Sequence, residues 1–261
     1  MTIAPTTGTR RSTPSATVSA THRVSTARLW AVELRKLVDT PSGVALVAAG
    51  ALLAGIFGGG AVLFIDDVTY GDVARLAGIP LLTLLPVLAI LLATSARHHR
   101  TALATYALVP ARGRILTAQA LAVITLGLIA AALTLVAAAI ITPVGGLVTS
   151  QPVPWTIDGG SHGALTVGIV LAALSGYAIG LATGLAPVAI TIVLAWPPIA
   201  LLLSIIPTAA DVLAWLDVNA VAALSDGATG VEVARVATGV VAWILVPGVV
   251  GVVRELRTEV R

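Results

Sequence analysis

The chain has 261 residues, of which 57% are hydrophobic and only 10% charged, with a mean hydropathy of +1.02. Soluble domains carry about 25% charged residues, so a water-facing surface of ordinary extent is excluded. The net charge of +3 is too small to argue for nucleic acid, and the absence of cysteine excludes both a disulfide framework and a thiolate metal site.

Residues 1–25 are rich in Thr, Ser and Pro and show no hydrophobic period, which predicts a disordered cytoplasmic tail. Arg10-Arg11 lacks the closely following apolar region of a twin-arginine signal. The first long apolar run begins only at Gly43, so no secretory signal peptide is expected. The acid-free first 32 residues share that property with organellar transit peptides; a basic cytoplasmic tail is the plainer reading.

From Thr26 to Val38 the pattern changes. Leu29, Trp30, Leu34, Leu37 and Val38 recur at helical spacing, with Arg28, Arg35 and Lys36 off that stripe. This predicts an amphipathic helix in the headgroup layer, with Arg28, Trp30, Glu33, Arg35 and Lys36 as its interfacial residues. Pro41 separates it from the first span instead of letting it extend that span.

Five stretches then contain no Asp, Glu, Lys or Arg: 43–65, 76–96, 115–141, 163–207 and 236–253. About 20 apolar residues at 1.5 Å per residue cross roughly 30 Å of hydrocarbon. The 45-residue stretch 163–207 must therefore cross twice, with its turn near Thr183–Pro187. The predicted fold is all-α: residues 26–261 form one polytopic membrane domain with spans at about 43–65, 76–96, 115–141, 163–184, 187–207 and 236–253.

The segments between the spans differ in character. Residues 66–75 are short and acidic, and 97–114 are the most charged stretch, with a helix-compatible Thr101–Val109 stopped by Pro110. Residues 142–162 read as a Gly- and Pro-rich loop with Trp155 as an interfacial anchor. The last loop, 208–235, is long and includes Val212, Leu213, Trp215, Leu216 and Leu224, which suggest a helix dipping into the interface.

Charge sets the orientation. With the N-terminus inside, segments 1–42, 97–114 and 254–261 hold 13 of the 15 basic residues, and only Arg75 and Arg235 lie outside. That asymmetry is the positive-inside rule, so both termini are expected in the cytoplasm. The basic residues are 14 Arg and 1 Lys, which with abundant Ala, Gly and Val suggests a high-GC bacterial genome. The expected location is a bacterial plasma membrane.

Within the spans Tyr177 is the sole ionisable side chain. Ion-coupled transporters usually carry buried Asp, Glu or His, and no channel filter motif is present. Gly55 and Gly59, and Gly176, Gly180 and Gly184, form G-x-x-x-G ridges suited to helix packing or a subunit seam. Glycine is also common in membrane helices without such a role. Pro197-Pro198 predict a kink in the fifth span.

No energy source is encoded. A Walker A loop needs Lys after Gly, and the single lysine, Lys36, follows no glycine loop. No H-E-x-x-H or G-x-S-x-G motif occurs, so no enzyme activity is expected. His98 and His99 are adjacent, point about 100° apart on a helix and do not converge on a metal.

Three segments, in order on this six-span frame, resemble a known family. They are Arg28–Leu37 before the first span, Thr101–Leu116 (TALATYALVPARGRIL) between the second and third, and Asn219–Gly227 before the last. Together they are similar to the permease subunits of ABC transporters of the exporter-like type-2 class, as found in actinobacteria. The resemblance covers about residues 26–261. It implies export of an amphipathic or apolar solute, ATP and Mg held by a separate cytoplasmic ATPase subunit, and a second permease copy, identical or not, in the same lipid membrane. No nucleic-acid partner is implied. It also implies that Arg97, His98, His99, Arg100, Tyr106, Pro110, Arg112 and Arg114 form the segment that docks on the ATPase. Family members often carry an acid followed by Tyr, Arg and His just upstream, whereas this chain reads Ala96-Arg97-His98-His99-Arg100. That departure keeps a second reading open: a non-transporting membrane anchor or immunity protein on the same frame, with the arginines anchored at anionic lipid.

Overall fold

The computed structural model describes residues 25–98, 112–156, 159–217, 221 and 229–257. The expected tail, most of the 97–114 segment and most of Asn219–Gly227 lie outside the described residues. The described chain is all-α, and six of its helices are long and apolar enough to cross a membrane. It is a multi-pass membrane protein.

Helix α1 spans Thr26–Asp39 and begins at Ser25, whose hydroxyl accepts from the Arg28 amide. Thr40 breaks the chain with an extended backbone and caps α2, Pro41–Phe64, its Oγ1 accepting from the Gly43 amide at 3.2 Å. Pro41 falls in the first turn of α2, where its missing N–H costs nothing. The two helices are therefore separate elements, as Pro41 predicted. Helix α3 is Tyr70–His98 and α4 is Arg112–Thr149. Helices α5, Gly159–Thr183, and α6, Ala186–Leu203, are the two crossings of the 45-residue run. A short α7, Pro207–Leu213, follows. The last span is α8, Gly230–Val240, a wider π-type turn at Val241–Leu245, and α9, Val246–Arg257.

The six spans match the six predicted crossings, and their ends differ for local reasons. Helix α3 starts at Tyr70, six residues before the charge-free stretch, because Thr69 caps it: the Thr69 hydroxyl accepts from the Asp72 amide at 3.3 Å, and Asp72 Oδ2 accepts in return from the Thr69 amide at 3.2 Å. Helix α4 runs on to Thr149 through Pro143, where a loop from 142 was expected. There Gly145 lets α4 lie against Val62 of α2, and a methyl group at that position would collide with it. At 38 residues α4 is about 57 Å long, more than a bilayer core needs. The loop that follows is short. Its Pro154 carbonyl accepts from the Tyr70 amide at 3.0 Å. The Trp155 ring stacks on Tyr70 at 5.2 Å, and His162 stacks on the same tyrosine at 5.3 Å.

Helices α3 and α5 are the centre of the bundle, and the remaining spans pack around them. Their close approach rests on glycine. A methyl group on Gly176 would collide with the backbone of Pro86, and one on Gly180 would crowd Ile90 and Ala93. The main core joins Leu85, Leu88 and Leu92 of α3 to Leu116 and Val123 of α4 and to Ile169, Ala173 and Tyr177 of α5. Tyr177 places its hydroxyl there by donating to the Leu116 carbonyl at 3.0 Å. A second cluster sits toward the α2–α3 turn, where Val62, Tyr70, Val73 and Ala138 meet.

Candidate functional site

The α1 end of the bundle gathers most of the residues singled out in the sequence. Trp30 and Leu34 pack against the main core, and the Trp30 indole N–H donates to Thr125 Oγ1 of α4 at 3.1 Å. Glu33 is three residues from Trp30 and shares its inward face. It is only 4% exposed; Oε1 accepts from Lys36 Nζ at 2.6 Å, while Oε2 finds no partner among the described residues. Arg28 and Arg35 lie outside this face. Thus α1 presents an inward side with a buried carboxylate and an outward basic side, on a helix locked to α4 by an indole hydrogen bond.

The expected coupling segment begins and ends at this same end. Arg97 and His98 close α3, and Arg112 and Arg114 open α4. His99, Arg100, Tyr106 and Pro110 lie outside the described residues. A crevice of about 230 Å³ opens at the α1 end, with Lys36, Thr40, Gly43, Thr94, Ser95 and Ala186 in its lining. Across the same end Arg254 of α9 donates to the last carbonyls of α5, Ala182 at 2.9 Å and Thr183 at 2.6 Å. A cation at a helix C-terminus satisfies orphan carbonyls and complements the helix dipole.

The glycine ridges divide. Gly176 and Gly180 seat α5 on α3, as a packing ridge should. Gly184 does not continue that ridge. It leaves the helix with φ 66°, and its amide bonds the Gly180 carbonyl at 2.9 Å, which is a left-handed helix stop. Gly55 and Gly59 meet nothing within 4 Å, while Gly50 faces α3 and Gly58 sits between Ile141 of α4 and Ala77 of α3. Helix α6 continues through Pro197 and Pro198 to Leu203.

A larger cavity, of about 450 Å³, opens between α3, α5, α6, α7 and the π-type turn. Leu82 and Pro86 of α3, Ser175 and Ile179 of α5, and Val193, Trp196 and Pro197 of α6 line it from the spans. Leu213, Leu216 and Asp217 line it from the chain after α6. Trp243 enters from the π-type turn. Its ring lies 4.9 Å from that of Trp196, and its N–H donates to the Leu216 carbonyl at 2.7 Å. The volume lies within the range of small-molecule sites. It reaches the level of Pro86, the seventeenth residue of the 29-residue α3, so it extends near the middle of the bundle.

Of this cavity the sequence pointed to Pro197, as a kink, and to Leu213 and Leu216, as part of a helix dipping into the interface. Pro86, Trp196 and Trp243 were readable as polar or backbone-breaking residues inside apolar runs. The topology that brings α3, α6 and the last span together was not. Among the described residues no group of three or more His, Asp or Glu is placed to hold a metal. Compared with protein-family models, curated proteins and solved structures, the chain matches none.

Proposed function

We propose that the chain is the permease subunit of an ABC-type transporter in a bacterial plasma membrane. In this reading it moves an amphipathic or apolar solute outward with energy from a separate cytoplasmic ATPase, and works with a second permease copy. The observation that supports the reading is the pairing of a midplane cavity with a bundle end where α1 is bonded to the core. The cavity can hold a small molecule. The basic end is mechanically continuous with the core: α1 is bonded to α4 through Trp30, and α3 and α4 lead directly from the Arg97–Arg114 segment into the helices that surround it. A push on that end would be delivered to α3, one wall of the cavity.

Binding partners decide between this and the anchor reading, which the missing upstream acid favours. The chain should co-purify with a P-loop ATPase whose hydrolysis it stimulates. Alanine at Arg97, Arg100, Arg112 and Arg114 together should abolish that association while leaving membrane insertion intact. A chain that associates with no ATPase, or a quadruple variant that retains full transport or resistance, would overturn the permease reading.

A further inference from the structure

The chemistry of the 450 Å³ cavity is one-sided. Proline has no N–H, so Pro86 and Pro197 leave the carbonyls of Leu82 and Val193, four residues earlier, without their ordinary helical donors. All four residues line the cavity. Its side-chain donors are largely engaged elsewhere. The Ser175 hydroxyl donates to the Ala172 carbonyl at 2.8 Å, and the Ser204 hydroxyl to the Leu201 carbonyl at 2.7 Å. The Trp243 N–H is bonded to Leu216 at 2.7 Å, which leaves Trp196 as the fourth side-chain donor among the described lining residues. Among the described residues no Lys, Arg or His lines the cavity, and the one ionisable residue of that lining is Asp217, an exposed acid that is itself engaged in an interaction. Arg235 lies over the Trp215 ring, at 5.9 Å, and is not part of the lining.

We propose that this cavity binds an amphipathic organic cation, an apolar body bearing a protonated amine. The ammonium supplies donors in place of the two helical N–H groups that proline removes. The Trp196 and Trp243 rings offer π faces to the same charge, and the aliphatic lining takes the apolar body. An anion would meet carbonyl lone pairs, and a neutral hydrocarbon would offer those carbonyls no donor. The proposal deepens the permease reading by naming its class of solute. It depends on that reading for transport and not for binding.

Binding is therefore measured on the chain alone, in phosphatidylcholine nanodiscs against empty nanodiscs, by calorimetry. The probes are naphthylmethylammonium, naphthylmethanol and naphthoate, which share one apolar body and differ in charge. The ammonium should bind about tenfold more tightly than the alcohol, and naphthoate most weakly. Pro197→Ala restores an N–H to the Val193 carbonyl and should erase most of the ammonium's advantage, with a smaller effect on the alcohol, whose uncharged O–H is the weaker donor. Pro86→Ala should act the same way through Leu82. Equal affinity for ammonium and alcohol, or tightest binding of naphthoate, would overturn the proposal on the wild-type chain without any variant. So would an undiminished ammonium preference in a folded Pro197→Ala protein. None of these outcomes bears on association with an ATPase, which is judged separately.

Discussion

Alanine at Gly176 tests the claim that glycine sets the spacing of the two central helices. The added methyl would overlap the carbonyl oxygen, Cα and carbonyl carbon of Pro86, all of them backbone atoms. No rotamer change can relieve that overlap, so α3 and α5 must separate, and the contacts of Leu85, Ile169 and Ala173 around the seam loosen with them. Overpacking of this kind costs about 1–3 kcal/mol. Alanine also gains about 0.5–1 kcal/mol over glycine within a helix, so a control must carry the same gain. Gly168 supplies it: the residue lies on the same helix, is buried, and a methyl there would meet nothing within 4 Å. Gly168→Ala should match or exceed wild-type stability. Gly176→Ala should fall about 2 kcal/mol below that control, roughly a 30-fold change in the folded-to-unfolded ratio. Unfolding by SDS titration from detergent micelles, followed by circular dichroism, reads the difference. If the two variants unfold at the same midpoint, the α3–α5 spacing is not set by Gly176 and the reasoning fails.

Two further expectations follow from single bonds. Arg254→Ala removes the donor shared by the Ala182 and Thr183 carbonyls and should cost about 1 kcal/mol. Its signature is faster protease cleavage near the end of α9, with Arg254→Lys intermediate; unchanged cleavage would count against the lock. Trp30→Phe and Thr125→Val each break the same indole–hydroxyl bond and should each cost about 1 kcal/mol. In SDS titration the double variant should lose little more than either single one, because the bond is lost only once; full additivity would show that the two side chains do not interact.

The spans were legible because lipid imposes a simple rule: charge-free runs of sufficient length must cross. Their ends were less legible because hydropathy marks where lipid begins and not where a helix stops. The start of α3 is the clearest case. Thr69 and Asp72 form a reciprocal cap whose spacing was visible in the sequence, but it lies inside an acidic segment that hydropathy assigns to a loop. Gly184 shows the converse, since its spacing from Gly176 and Gly180 suggests a ridge while its backbone serves as a stop. Glu33 was readable as an interfacial residue, yet its burial depends on α1 turning Trp30 and Leu34 inward against α4. The cavity was least visible, because its walls come from helices more than a hundred residues apart. Leu82 and Trp243 become neighbours of one space only after the chain has crossed four more times.

The loosely wound stretch Val241–Leu245 has a consequence for how the last helix joins its contacts. Such a turn holds one residue more than regular winding needs. Chain length and rotational phase are thereby uncoupled at this point. Loss of a single residue there could be absorbed by a return to ordinary winding, with Gly251 still fitted against Leu181 and Arg254 still reaching the end of α5. The same loss one turn further along would swivel everything beyond it by about 100°, carrying both residues away from their seats.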